Sequence, residues 1–301
     1  MRTLKEQFTK DGFVIVDVLT EEEILKYRNI LAALMNPDTS SEDKEERSST
    51  FQHLGDELKD FGKENRQYYF HILTKPGTEP LHEIYHHPGV MQIAEALIGP
   101  QLIINNASVL AANKGVKYDL GWHRDVIQIP EEEIEDELFS KERFHNSVQI
   151  NLPLYDEDAL WIVPGSHNRS NLPEEEEVFA GSKHYSPKGL PMPGGIAVPL
   201  KAGQAVFYNN NLIHRGYTQE VMVPRRTVHM GYHSALYPPT WHFYLLNAEL
   251  LTEEYLDRLS PIMRTMMEDY LACRKQFPSM NETWKSGFWD QKVDPNIYET
   301  R

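Results

Sequence analysis

Hydrophobic positions in the first hundred residues predict two helices and one short strand. Thr20 and Glu23 have the spacing of a capping box at the start of the first helix. A second helix is expected over residues 90–98, before a Gly-Pro pair, and residues 13–16 form a short β-prone run. The first helix has one apolar face, because four residues recur at helical intervals: Ile24, Tyr27, Leu31 and Leu34.

From residue 102 onward, short β-prone runs alternate with turn residues. Eight such runs within about 130 residues are typical of a sandwich or jelly roll. The pattern therefore predicts a mainly β fold with flanking helices. The predicted strands cover residues 102–112, 122–129, 147–154, 159–163, 196–199, 204–208, 212–217 and 225–233.

Helical periodicity returns after the proline pair at 238–239. Thr252 has the position of a helix cap, and the apolar residues Tyr255, Leu259, Ile262, Met266 and Tyr270 follow at helical spacing. We therefore expect a single domain over residues 1–301. It would have N-terminal helical support at 1–100, a β core at 101–235 and a C-terminal helical extension at 236–301.

Polar and acidic segments interrupt this pattern. Residues 36–50 are polar and charged, which indicates a loop. Glu131–Glu142 and Glu174–Glu177 are acidic runs, and such runs usually form solvated faces. An alternative for residues 131–145 is a lid over a site, because loops of this length tend to be functional.

The composition restricts the classes of partner. The chain has 301 residues and a formal net charge of −15, which argues against a nucleic-acid or anionic-membrane partner. It contains neither an apolar run of about 20 residues nor an N-terminal secretory pattern. Its one cysteine, Cys273, is expected to be a packing residue, and a cytoplasmic location is expected. The sequence does not indicate an oligomeric state.

Candidate chemistry is concentrated in residues 121–125, Gly-Trp-His-Arg-Asp. On an extended chain, His123 and Asp125 project to the same side, because side chains alternate with period two. His214, on a distant predicted strand, would complete a set of two imidazoles and one carboxylate. Such a set leaves three octahedral positions open, as in non-haem Fe(II) oxygenases. Arg225 follows eleven residues later and offers a two-pronged donor for a carboxylate.

These motifs resemble those of the phytanoyl-CoA dioxygenase (PhyH) family, which includes phytanoyl-CoA hydroxylase and ectoine hydroxylase. The resemblance covers residues 7 to about 240 and implies a double-stranded β-helix, a cupin-like jelly roll, that uses Fe(II), 2-oxoglutarate and O2. No single motif is specific to this family, but the occurrence of all of them in this order along the chain is. The segments that carry the resemblance are residues 11–15 (Asp-Gly-Phe-Val-Ile), 122–125, 163–167 (Val-Pro-Gly-Ser-His), the His214 strand and Pro224-Arg225.

By position, the resemblance makes His123, Asp125 and His214 the iron ligands. It also assigns Arg225 to the distal carboxylate of 2-oxoglutarate, with Arg226 as the rival. Asn151 matches a strand position that contacts 2-oxoglutarate in relatives, and Leu110 is a further candidate for lining the same pocket. Gly216 is a departure, since relatives often have a hydroxyl residue there. No catalytic residue beyond the metal ligands is expected.

The other histidines have simpler interpretations. His167 is expected to stabilise a turn, and His145, His184 and His233 to lie on the surface or in the core. His229 has the same strand parity as Arg225 and would face the pocket, although packing is the more common role.

The resemblance implies a hydroxylase that oxidises an unactivated C–H bond of a small organic substrate and releases succinate and CO2. Asp125 favours hydroxylation, because halogenating relatives have a small residue at that position. Desaturation, epimerisation and ring formation use the same ligands. Two alternatives from other classes are a non-catalytic metal-binding β-helix scaffold and a Zn-dependent hydrolase. No residue identifies the substrate.

Overall fold

The computed structural model of the protein describes residues 2–35, 66–69, 72–74, 77–125, 147–182, 185–236, 239 and 241–278. The predicted polar loop at 36–50 and the predicted lid at 131–145 lie outside the described residues.

Strands of the described residues form two antiparallel sheets. The larger sheet has the order β1-β8-β5-β10-β3-β2, and the smaller has the order β4-β9-β6-β7. The strands are β1 Phe13–Asp17, β2 Arg66–Tyr69, β3 Leu102–Ala112, β4 Tyr118–Asp119, β5 Ser147–Pro153, β6 Leu160–Ile162, β7 Ile196–Ala197, β8 Gln204–Tyr208, β9 His214–Thr218 and β10 Arg225–Ser234. The predicted mainly β architecture is confirmed. The predicted strand over residues 122–129 is not formed at residues 122–125, where His123 makes only isolated bridges, and residues 126–129 lie outside the described residues.

Helices flank the sheets. They are α1 Leu4–Asp11, α2 Glu21–Met35, α3 Pro88–Ile98, α4 Pro173–Phe179, α5 Glu253–Leu256 and α6 Pro261–Gln276, with 3-10 turns at Ile72–Thr74, Glu79–His86, Ser166–Asn168, Trp241–Leu245 and Ala248–Leu250. In the described part of the chain, no helix is both long and apolar enough to span a bilayer.

The N-terminal helices begin at side-chain caps. The predicted helix α2 is confirmed, with Thr20 and Glu23 exchanging bonds across its first turn: Thr20 N donates to Glu23 at 2.8 Å, and Glu23 N to Thr20 at 3.3 Å. Its four predicted core residues are all buried. Helix α1 was not predicted, yet Thr3 and Glu6 form the same kind of capping box.

The predicted register of the C-terminal helix is wrong. Helix α5 ends at Leu256, and a separate helix, α6, begins at Pro261 with Ser260 as its cap. The two helices therefore do not share one periodicity. Ile262 is 57% exposed as a result. The buried face of α6 consists of Met263, Met267, Tyr270 and Cys273, which confirms that Cys273 is a packing residue.

The acidic run at 174–177 is also not simply a solvated face. It lies in α4, where Glu175 is buried and both of its carboxylate oxygens accept bonds from Arg169 at 2.7 Å. Its three neighbours in the run are exposed. An ion pair between the buried Glu175 and the half-buried Arg169 therefore anchors this helix.

The two faces of the larger sheet have different compositions. Ile150 and Leu152 belong to the apolar core that the sheet shares with the helices. Asn151 lies between them on β5 and points to the opposite face, as predicted. Directly opposed residues of antiparallel strands share a face, so this polar inner face extends across the sheet. Its members are Leu110, Gln149, Asn151, Tyr208, Arg225, Thr227 and His229.

Candidate metal centre

A local backbone arrangement brings the His-x-Asp motif to β9. The backbones of His123 and His214 exchange two hydrogen bonds of 2.9 Å. His123 also bridges to Tyr185, whose ring stacks on the imidazole with centroids 4.5 Å apart. Gly121 allows this approach, since a Cβ atom there would lie 2.1 Å from the Ser186 carbonyl oxygen. A side chain at position 121 would therefore displace the motif.

Three predicted ligands converge at this point. His123, Asp125 and His214 each offer one ligand atom, and these atoms lie within 4.8 Å of one another. Nε2 of His123 is 3.6 Å from one Asp125 oxygen, and Nε2 of His214 is 3.3 Å from the other. All three side chains are buried. Among the described residues, no fourth side chain belongs to this set.

Backbone carbonyls orient both imidazoles. Nδ1 of His123 bonds to the Gly121 oxygen, and Nδ1 of His214 to the Leu212 oxygen, each at 2.8 Å. A carbonyl only accepts, so each Nδ1 carries the proton and each Nε2 keeps its lone pair for a metal. Two Nε2 atoms and one carboxylate on one side are the donor set of the non-haem iron triad. The residues present therefore fit a ferrous ion.

The surroundings of Asp125 include residues that the sequence did not reveal. Gln149 donates its side-chain amide to Asp125, and the Tyr208 hydroxyl bonds to Gln149 at 3.3 Å. Nε2 of His242 lies 3.8 Å from the same Asp125 oxygen. Burial opposes ionisation of Asp125, but the neighbouring His214 and His242 hold the pKa of this carboxyl well below its usual range. His242 lies C-terminal to the predicted strands, so strand alternation could not predict that its side chain faces Asp125.

Arg124, the middle residue of the motif, has a structural position. Its Nη1 donates to the Ser166 and Asn211 carbonyls at 2.6 Å, and Nη2 and Nε both bond to the Asn171 side chain. Burial lowers the pKa of this guanidinium to about 9. Arg124 thus ties the turn at 166 to the segment leading into His214.

Arg225 lies on the inner face and is 4% exposed. Its Nε and Nη2 donate to Glu157 at 2.7 and 3.3 Å, and its Nη1 donates to the Tyr118 hydroxyl at 2.8 Å. Burial disfavours its charge, but Glu157 and Tyr118 raise its pKa above the usual value. Arg226 points away from the interior and bonds to the Ala112 carbonyl and Asn113. The parity argument that separates the two arginines therefore agrees with the structure.

The remaining predicted pocket residues lie on the same inner face. The side-chain amide oxygen of Asn151 accepts a hydrogen bond from Nδ1 of His229 at 2.7 Å. Leu110 pairs with Thr227 across β3 and β10. Burial, reinforced by the nearby His242, lowers the pKa of His229 to about 3, so its ring is neutral at physiological pH.

Other histidines occupy structural positions where they are described. His167 is buried in a turn and bonds to the Thr9 carbonyl at 3.1 Å. His233 is fully buried, 3.8 Å from the Cys273 sulfur. His145 and His184 lie outside the described residues.

A buried triad of two histidines and one carboxylate, set in two antiparallel sheets, is the arrangement typical of non-haem Fe(II) oxygenases. Residues 8–226 match the family model described as phytanoyl-CoA dioxygenase (PhyH), which is more than half of the chain. The chain belongs to the phytanoyl-CoA dioxygenase family and is an enzyme of the Fe(II)- and 2-oxoglutarate-dependent class. No curated protein sequence matches it.

Solved structures share the fold at low sequence identity. The epimerase SnoN, in complex with Fe3+, alpha ketoglutarate and nogalamycin RO, is 20% identical, with 80% of this chain and 87% of that chain covered and a TM-score of 0.54. HygX from Streptomyces hygroscopicus, with nickel and 2-oxoglutarate bound, is 15% identical, with 77% and 88% covered and a TM-score of 0.53. The carbocyclase SnoK from nogalamycin biosynthesis is 19% identical, with 86% and 90% covered and a TM-score of 0.51. The predicted jelly-roll fold is confirmed.

Proposed function

We propose that the protein hydroxylates an unactivated C–H bond of a small organic molecule. His123, Asp125 and His214 would hold Fe(II), and Arg225 would bind the distal carboxylate of 2-oxoglutarate. Asn151 and Leu110 would line the same pocket. The observation that carries the proposal is the convergence of two Nε2 atoms and one carboxylate within 4.8 Å, with both Nδ1 atoms bonded to backbone carbonyls.

The residues of the chain supply orientation and a dry site. Fe(II) with 2-oxoglutarate supplies O2-dependent oxidation of a C–H bond, with release of succinate and CO2. Asp125 would neutralise one charge of the metal, and Gln149 restricts its rotation through the amide bond. Burial of the three ligands keeps bulk water away from the reacting groups.

The substrate class rests on charge and on the fold. SnoN and SnoK, described as an epimerase and a carbocyclase, show that this fold serves several outcomes on small molecules. The carboxylate at position 125 supports hydroxylation over halogenation for this chain. The net charge of −15 does not favour a polyanionic substrate. Organisation as one domain and a cytoplasmic location stay predictions.

The proposal is tested by anaerobic addition of Fe(II) and 2-oxoglutarate. The wild type should develop a weak visible charge-transfer band and, with O2 and a library of small molecules, release succinate in a substrate-dependent way. Asp125→Ala should lose both signals. Asp156→Ala is the matched control, because Asp156 is an exposed carboxylate that bonds to Lys201.

Two outcomes would replace the proposal. Metal binding without any 2-oxoglutarate response or turnover would indicate a scaffold protein. Activity with Zn2+ that ignores 2-oxoglutarate would indicate a hydrolase. Mass analysis of the product distinguishes hydroxylation, which adds one oxygen atom, from desaturation, epimerisation and ring formation.

A further inference from the structure

We propose that Glu157 is a positioning residue, which holds Arg225 by one edge of its guanidinium and presents the other edge to the distal carboxylate of 2-oxoglutarate. This inference rests on the proposed function. Neither the residue type of Glu157 nor its spacing from other residues indicates this role in the sequence.

Glu157 is fixed in place. Its backbone N–H donates to the Leu200 oxygen at 3.0 Å, and its own oxygen accepts from Leu200 N at 2.8 Å. Its carboxylate accepts from the buried Thr227 hydroxyl at 2.5 Å as well as from Arg225. The side chain is 7% exposed. Both the backbone of Glu157 and its carboxylate are therefore held in place by hydrogen bonds.

The pairing uses one particular edge of Arg225. A guanidinium has five N–H donors, and Nε with Nη2 form its side edge. Glu157 occupies that side edge, with contacts to Nε and Nη2. Tyr118 accepts one bond from Nη1. In the proposed complex, the further N–H groups of Nη1 and Nη2, along the end edge, would bind the distal carboxylate. An arginine can thus bind two carboxylates at once, each through a different edge.

The negative charge of Glu157 has an opposite effect on the binding of 2-oxoglutarate. Glu157 neutralises Arg225, so it reduces the long-range attraction between the pocket and a dianion. A freely rotating arginine, however, would have to be ordered when the cosubstrate binds, at a cost in rotamer entropy. Because the Thr227 and Leu200 contacts hold Glu157 in place, we expect orientation to outweigh neutralisation.

The test compares two ligands and two variants by calorimetric titration of the Mn(II)-loaded protein. 2-Oxopentanoate has the same carbon chain as 2-oxoglutarate but lacks the distal carboxylate. Glu157→Gln should weaken 2-oxoglutarate binding about 10-fold, a loss comparable to one charge-assisted hydrogen bond, and leave 2-oxopentanoate binding within about 2-fold. The Mn(II) affinity should not change. Glu220→Gln, at an exposed position, is the control.

A thermal unfolding curve establishes that each variant folds. If Glu157→Gln does not fold, Glu157→Asp carries the test, because it keeps the charge but is too short to reach both Nε and Nη2. Unchanged 2-oxoglutarate affinity in a folded variant overturns the inference. Tighter binding also overturns it, since Glu157 would then compete with the cosubstrate. A wild type that binds both ligands equally overturns the role of Arg225, and this inference with it.

Discussion

The guanidinium carbon of Arg215 lies 4.5 Å from the ring centroid of Trp122. The two residues are direct cross-strand neighbours, because His123 pairs with His214 at the adjacent position. They therefore face away from the ligands. Both also donate to the Leu190 carbonyl, Trp122 at 3.0 Å and Arg215 at 3.1 Å. On the side opposite the ligands, this stack joins the segment that carries His123 to the strand that carries His214.

Arg215→Met should weaken both the fold and the metal site. The substitution removes a cation–π contact and leaves the buried Asp119, 3.5 Å away, without this positive partner. We expect a loss of about 1–3 kcal/mol in the free energy of unfolding and weaker metal binding. Urea unfolding of the apoprotein and competition with a chelator measure the two effects.

The control for this change is Arg258→Met. Arg258 also lies over an aromatic ring, 5.8 Å from the Tyr255 centroid, and bonds to Glu79, but its side chain is 47% exposed. Its loss should cost at most about 1 kcal/mol. Equal effects of the two substitutions would contradict a specific role for the stack.

Gln149→Leu should lower metal affinity with little change in stability. Gln149 donates its amide to the Asp125 carboxylate, and such outer partners of a metal ligand typically contribute about 10–100-fold in affinity. Chelator competition gives the ratio. Gln204→Leu removes a comparable amide–carboxylate bond, to Asp17 at 2.9 Å on an exposed edge, and should leave affinity unchanged. A Gln149 variant with wild-type affinity would show that Asp125 needs no support.

Strand alternation explains which parts of the site could be predicted. The bounds of β3 agree with its hydrophobic run, and Asn151 faces inward between two core residues, because a period of two assigns each residue to one face. The same rule separates Arg225 from Arg226. His123 and Asp125 share a side even though their segment forms only isolated bridges, since an extended backbone is enough.

Contacts between distant elements could not be predicted. Glu157 forms an isolated bridge between two strands, and His242 lies in a 3-10 segment, so neither has a periodic pattern that indicates a direction. Arg124 has the motif position of a site residue, but it bonds to carbonyls from two other loops. The register of α6 failed for a local reason, because Pro261 starts a new helix at a place where an apolar repeat continues by chance.

Arg225→Lys should raise the Michaelis constant for 2-oxoglutarate much more than it lowers the maximal rate. Lysine keeps the charge but lacks the planar fork, so it cannot bond to Glu157 and to a second carboxylate along two edges. We expect an increase of about 10-fold or more, equivalent to about 1.4 kcal/mol. Arg226→Lys is the matched control, since Arg226 bonds outward to Ala112 and Asn113. An effect confined to Arg226 would reverse the assignment.

Glu175 should make stability depend on acid pH. Burial opposes its ionisation, but Arg169 and the Leu172 N–H hold the pKa of its carboxyl below the ordinary value. A carboxyl with a lowered folded pKa stabilises the protein above its unfolded pKa of about 4.3, and this contribution disappears as the pH falls through the folded pKa. Unfolding free energies of wild type and Glu175→Gln should therefore differ by about 1–3 kcal/mol at pH 7 and converge toward pH 3. Glu174→Gln, one residue earlier and exposed, should follow the wild type throughout. A constant difference between wild type and Glu175→Gln across this range would mean that the ion pair with Arg169 contributes no pH-dependent stability.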